Sequence, residues 1–371
     1  FVIPILALMW QGVHNDTFAR YTPNLTQQLK QWDGVSQPTE AMFVALVTDL
    51  KSARNDKTVG RIATRVNQEL PGTRSLFTSS ARKVKKAKPP YAESMVKINK
   101  KWDRLDVWQA MKLTSQSLTP GFYATALDGK YTVDQGFVSQ VENRQIYVKL
   151  FWRTLLISGS VMLLCLLLGY PVAYLLATLP MRYSNLLMIM VLLPFWTSLL
   201  VRTTAWIAIL QSQGVVNDLL VWIGITGDES RFSLIYNMTG TIVAMTHILL
   251  PFMILPLYSV MKTIPPSYMQ AARSLGATPT RAFIKIYMPQ TIPGVGAGGL
   301  LVFILAIGYY ITPALVGGQD GQLISNMIAY HMQKSLNWSL AAALGGILLA
   351  GVLFLYWAYD RIIGIDNMKL G

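Results

Sequence analysis

The residues of this chain able to do covalent or metal chemistry are few and scattered. Three histidines (His14, His247, His331) and one cysteine (Cys165) lie far apart in sequence, so no metal-ligand spacing is present. No Ser, His and Asp arrangement suggests nucleophilic catalysis. No GxxxxGK[ST] loop occurs, so no phosphate cradle of that kind is expected. Gly294-Val295-Gly296-Ala297-Gly298-Gly299 superficially resembles a dinucleotide loop. No strand is expected before it, which that fingerprint requires, and close packing of membrane helices is the better use of such small residues. We therefore expect no catalytic residue, no metal and no cofactor in this chain. What remains is recognition chemistry inside apolar segments. Arg202 is an ionisable group there, near the outer end of its segment, and both a functional and a snorkelling role stay open. Trp196, Trp206, Tyr309 and Tyr310 offer aromatic faces for cation–π contacts of roughly 0.5–2 kcal/mol each. His247 is expected to be a hydrogen-bonded interior histidine. The apolar segments hold no carboxylate before Asp360.

A second pattern lies between two long apolar segments, in TIPPSYMQAARSLGATPTRAFIKIYMPQTIP, residues 263–293. It reads as two short helices. Ser267 is the expected N-cap of the first, with Gln270 completing a capping box, and Pro265 and Pro266 prevent backward extension. Gly276 is the expected left-handed stop. Thr278 then caps a second helix with Pro279 at its first position. That helix is expected to run to about Met288 and to be broken by Pro289. Ala271, Ala272 and Gly276 leave one side nearly bare, a surface that another protein can approach closely. A DNA-binding helix-turn-helix has a similar outline, but no separate domain surrounds this one, and no nucleic acid is expected.

These residues carry a family resemblance. Gln270-Ala271-Ala272, then Gly276, then Ile286-x-Met288-Pro289 resembles the cytoplasmic EAA loop of binding-protein-dependent (type I) ABC importer permeases. Gln270 stands where the family has Glu, and Met288 where it has Leu. The resemblance implies that Gln270, Ala271, Ala272, Arg273, Gly276, Pro279 and Arg281 couple to a cytoplasmic ATPase. Residues 166–180, 192–210, 249–261 and 301–318 resemble the spermidine/putrescine-type branch. That implies a second related permease, two ATPase subunits that hold the ATP and Mg, a periplasmic solute-binding protein and polyamine-like cargo. Transport would proceed by alternating access, driven through the hairpin. The location implied is the bacterial inner membrane, in contact with lipid.

The elements that must position these residues follow from composition. The chain has 371 residues, 52% of them hydrophobic and only 13% charged, against about 25% charged in typical soluble domains. Residues 12–145 hold 20 Lys and Arg against 12 Asp and Glu, which marks a polar block. Its apolar residues recur at helical spacing, so it is expected to be a helical insert. Its basic run Arg82–Lys88 is expected to be a solvated helix face, and 117–148 loop and short helix. Five spans are expected at about 150–178, 185–212, 233–261, 293–316 and 338–360. The apolar residues 1–11 are expected to be the outer end of a truncated first span. The expected fold is therefore an all-α polytopic membrane protein with six spans, the insert 12–145 between the first two and a core 146–371 carrying the hairpin 264–293. Basic residues in short loops (Arg182, Lys262, Arg273, Arg281, Lys285, Arg361, Lys369) place the hairpin and C-terminus in the cytoplasm, and the insert outside. An ion-coupled secondary transporter or channel is the competing class. It calls for acidic or histidine relays in the membrane, and the acid-free spans count against it. A membrane receptor is a third class, for which six spans exceed what an anchor needs.

Overall fold

The structure, a computed structural model, describes residues 2–133, 136–142 and 145–363. The terminal segment with Lys369, placed in the cytoplasm by its charge, lies outside the described residues, as does the side chain of Asp360. The described residues divide into two compact units, one within 1–148 and 330–347, the other within 149–329 and 348–371.

The first unit is built from short amphipathic helices. Pro23–Gln31, Glu40–Asn55, Val59–Glu69, Arg74–Lys83, Tyr91–Ile98 and Leu105–Ser115 enclose one apolar core. At its centre Trp102 and Trp108 are fully buried. Trp102 meets Phe77 edge-on at 5.2 Å, and Trp108 meets Phe43 at 4.7 Å. Buried indoles need a partner for their N–H. Trp102 Nε1 donates to Ser80 Oγ at 2.8 Å, and Trp108 Nε1 to the Trp102 carbonyl at 2.9 Å. In the basic run Val84 turns inward while Arg82, Lys83, Lys85 and Lys86 face solvent. Buried Asp49 accepts from the Leu25 backbone N–H and from Asn24 Nδ2, each at 2.8 Å. It thereby satisfies an orphan amide in the first turn of Pro23–Gln31.

The sequence reading missed one element of this unit. Residues expected as loop and short helix include the antiparallel pair Gly129–Thr132 and Gly136–Ser139. Just before it, Asp128 adopts φ 55°, and its carboxylate accepts from the backbone N–H groups of Ile146, Tyr147 and Val148 at 2.8–3.0 Å. These are donors at the start of the helix Tyr147–Thr178, so Asp128 caps it from 18–20 residues upstream. His331 sits between Tyr147 OH at 2.9 Å and Ser335 Oγ at 2.9 Å, a hydrogen-bonded structural histidine.

Among the described residues, four helices are long and apolar enough to cross a membrane, or five if one bent pair counts as a span, against the six expected: Tyr147–Thr178, Leu199–Trp222, Met238–Thr263, Trp338–Tyr359, and Pro279–Gln290 with Ile292–Gly308. Two of the expected spans are interrupted. The segment expected at 185–212 forms Met181–Leu192 and a 3-10 turn Leu193–Trp196, then restarts at Leu199. Pro194 supplies no N–H to continue an α ladder, Thr197 is extended, and Ser198 caps the new helix through Val201 N. The segment expected at 293–316 ends at Gly308. Tyr309 is extended, and Ile311–Val316 is a separate short helix. Met238–Thr263, by contrast, runs through Pro251 and Pro256 as one helix. It packs directly on Ile292–Gly308. A Cβ on Gly294 would lie 3.2 Å from Leu257 Cα, and one on Gly298 3.1 Å from the Met253 carbonyl oxygen. The glycine run is a packing surface for a neighbouring backbone.

Candidate functional site

Two sets of residues in the second unit answer to the sequence reading. The first is the hairpin. Its leading helix is Pro266–Ser274, with Pro265 at the N-cap and no side-chain capping bond. Ser267 is thus already in the first turn, and the expected Ser267–Gln270 capping box does not form. Proline at the first helical position has no N–H to leave unsatisfied, which removes part of the need for a cap.

The helix ends as expected. Gly276 has φ +87°. Ala277 N–H donates to the Ala272 carbonyl at 3.0 Å and Gly276 N–H to Arg273 at 3.0 Å, the paired bonds of a Schellman stop. Thr278 Oγ1 accepts from Arg281 N at 3.3 Å with Pro279 following. The second helix is not broken at Pro289. It passes from Pro279–Ala282 into a π turn, Phe283–Tyr287, then Met288–Gln290. Proline has no N–H to donate, and its ring would crowd the preceding turn of an α-helix. The wider turn accommodates both, with Met288 N–H reaching back to the Phe283 carbonyl. The break comes at Thr291, where the chain bends by 59° into Ile292–Gly308.

The outer surface of the hairpin is open. Gln270, Ala271, Arg273, Gly276, Pro279 and Arg281 are exposed and Ala272 half-buried. Leu275, at the turn, is 89% exposed, an apolar tip flanked by two guanidinium groups. Arg273 and Arg281 make no ion pair among the described residues. The inner side is held by a ring cluster that the sequence reading did not single out. Tyr174 meets Phe283 and Tyr287 edge-on at 5.3 Å each, Phe283 stacks on Tyr287 at 5.6 Å, and Tyr170 OH lies 3.0 Å from Thr291 Oγ1. The signal available in sequence was the i, i+4 spacing of Tyr170 with Tyr174 and of Phe283 with Tyr287. A cleft of about 800 Å³ opens beside this cluster, lined in part by Gln270, Arg273 and Pro279.

The second set lies in the apolar helices. Trp206 Nε1 donates to His247 Nδ1 at 3.1 Å, with the rings edge-to-face at 5.3 Å. Arg202, one turn before Trp206, is half-buried. Its Nε is buried without a hydrogen-bond partner. Arg153, near the start of Tyr147–Thr178, is satisfied: it donates to the Gln319 carbonyl at 2.8 Å and lies 3.8 Å from Asp320. The structure therefore brings Trp206, and with it the helix that carries Arg202, onto His247, which the sequence reading treated only as interior; Thr203 Oγ1, next to Arg202, lies 3.3 Å from Thr312 Oγ1, three residues after Tyr309. Tyr310, beside Tyr309 at the helix break, is 40% exposed. Trp196 is 86% exposed and makes no ring contact among the described residues.

The chain is 34% identical over 221 residues to the spermidine/putrescine transport system permease protein PotB of Haemophilus influenzae, covering 59% of this chain and 77% of that protein. It is 34% identical over 241 residues to PotB of Escherichia coli, covering 62% and 87%. It is 33% identical over 227 residues to the inner membrane ABC transporter permease protein YdcU of Escherichia coli, covering 57% and 70%. Residues 156–363, which contain both the hairpin and the His247 cluster, match the family described as binding-protein-dependent transport system inner membrane component. The chain belongs to that family and is a membrane translocation subunit, not an enzyme.

Proposed function

We propose that this subunit passes polyamine-like cations or related amino compounds through the bacterial inner membrane, and that the hairpin 264–293 is the contact through which an ATPase drives it. The observation that carries the reading is the hairpin itself. An exposed Leu275 between Arg273 and Arg281 suits insertion into a groove on another protein, while the ring cluster behind it suits transmission of a push to the helix Tyr147–Thr178. The relatives named for spermidine and putrescine support the cargo class. In this reading the complex has a second related permease, two ATPase subunits that bind ATP and Mg, and a periplasmic solute-binding protein. Six spans cross the bilayer, with Val2–Gln11 counted to the first. Residues 12–145 face the periplasm, and the hairpin faces the cytoplasm, as the loop charges suggest.

Proteoliposomes holding the complete complex test this. Uptake of labelled putrescine or a related amino compound should require enclosed ATP, and a photo-cross-linker at Leu275 should capture the ATPase. Uptake that survives omission of the ATPase and collapses with a proton uncoupler would instead establish the ion-coupled alternative, which the scarcity of carboxylates disfavours: among the described residues of the candidate spans only Asp218 is acidic, and it pairs with Arg231 at 2.7 Å.

A further inference from the structure

We propose that Arg202, His247 and Tyr309 form an anion-accepting subsite, so that the transported compound carries a carboxylate or similar group beside its ammonium. This deepens the function proposed above and rests on it. The argument is one of donors and acceptors. An indole nitrogen can only donate, so the bond from Trp206 Nε1 fixes His247 Nδ1 as an acceptor. The ring is then neutral, with its proton on Nε2, a second donor. Arg202 offers guanidinium N–H groups and accepts nothing. Thr203, the residue after Arg202, lies 3.3 Å from Thr312, which sets Tyr309, three residues before Thr312, beside the same helix, and its hydroxyl can donate. The wall is rich in donors and carries net positive charge.

Nothing among the described residues neutralises it. Arg153 has its carbonyl and carboxylate partners, whereas no described residue pairs with Arg202, and its Nε is buried without a partner. An uncompensated guanidinium in an apolar setting is costly. A compound bearing only ammonium groups makes this worse, because it adds like charge and more donors. A carboxylate supplies the missing acceptors and fits the planar fork of arginine. The neighbouring aromatic faces of Tyr309 and Tyr310 are left for the ammonium end. The pairing of a free guanidinium with aromatic faces therefore describes a zwitterionic amino compound better than a bare polyamine.

The purified permease–ATPase complex, without binding protein, is titrated calorimetrically with putrescine and with 4-aminobutyrate, in which a carboxylate replaces one ammonium end. The carboxylate probe should bind and putrescine should not. Arg202→Gln should weaken the carboxylate probe by roughly tenfold or more, and Arg202→Lys, which keeps the charge but loses the fork, should fall between. Absent binding of the carboxylate probe, equal binding of both probes, or binding indifferent to Arg202→Gln overturns the proposal. So does dissociation of the permease pair by Arg202→Gln, which would assign the guanidinium to a carboxylate of the sister subunit. ATP-driven 4-aminobutyrate uptake unaffected by Arg202→Gln would overturn this subsite and leave the importer standing, whereas loss of the ATP requirement would strike the importer reading itself.

Discussion

Replacing Gly276 by valine probes the hairpin without touching its surroundings. A Cβ built on this residue meets no atom within 4 Å, so no clash inside the chain can explain an effect. The cost is conformational. At φ +87° an L-residue carries a penalty of roughly 1–2 kcal/mol, with β-branched residues at the upper end. If the turn relaxes to avoid that strain, the Ala272 and Arg273 carbonyls lose the two 3.0 Å bonds that end the helix, a loss of about 0.5–1.5 kcal/mol each. The nine-residue helix Pro266–Ser274 is too short to hold itself together in water, so its exposed tip would reorganise. Gly276→Val should leave the protein in the membrane with its denaturation midpoint nearly unchanged, but should uncouple it. Reconstituted complex would show uptake and ligand-stimulated ATPase activity falling together. Gly276→Asn, which tolerates the left-handed region, should retain most of both. Wild-type uptake and stimulation in the valine variant would refute the coupling role and the strain argument with it.

Topology can be read by cysteine labelling: Lys86→Cys and Gly227→Cys should react with an impermeant thiol reagent outside intact spheroplasts, and Thr280→Cys should not. Labelling of Thr280→Cys alone would reverse the orientation. Burial raises the Asp49 carboxyl above its ordinary value, against the opposing pull of its bonds to Leu25 and Asn24. A folded-state value above the unfolded one contributes stability below about pH 4, and that contribution is lost as pH rises through the raised value. The chemical denaturation midpoint followed by the buried Trp102 and Trp108 should therefore decline over that window, and Asp49→Asn should abolish the decline. Asp128→Ala removes the acceptor for three amides and should lower the same midpoint by about 1–3 kcal/mol. An unchanged midpoint would mean that water replaces the cap.

Much of the hairpin was legible because its signals are local. Gly276, Thr278 and Pro279 act on their own backbone and needed no tertiary context. Ser267 misled because a proline at position 266 already relieved the need it would have met. Pro289 misled because a π turn offered an alternative to breaking. Apolar length located Tyr147–Thr178, Met238–Thr263 and Trp338–Tyr359, but it misplaced the limits of the other two spans, because hydropathy averages over the single extended residues Thr197 and Tyr309 that interrupt them. The cluster around His247 was invisible for a different reason. Trp206 and His247 are 41 positions apart and Thr203 and Thr312 109, and only packing shows that their helices meet. The same holds for the rings that brace the hairpin.

Asp128 has a consequence for how such proteins diversify. The helix beginning at Tyr147 carries its capping carboxylate in the polar block upstream, not in its own flank. A recombination event that exchanged that block at a junction between residues 128 and 146 would sever a helix from the group that completes its first turn. Viable hybrids should therefore cross over before residue 128, or bring an equivalent acceptor with them. The permissible seam for chimeric permeases is set by one hydrogen-bonding side chain, and it lies well short of the point where the apolar sequence starts.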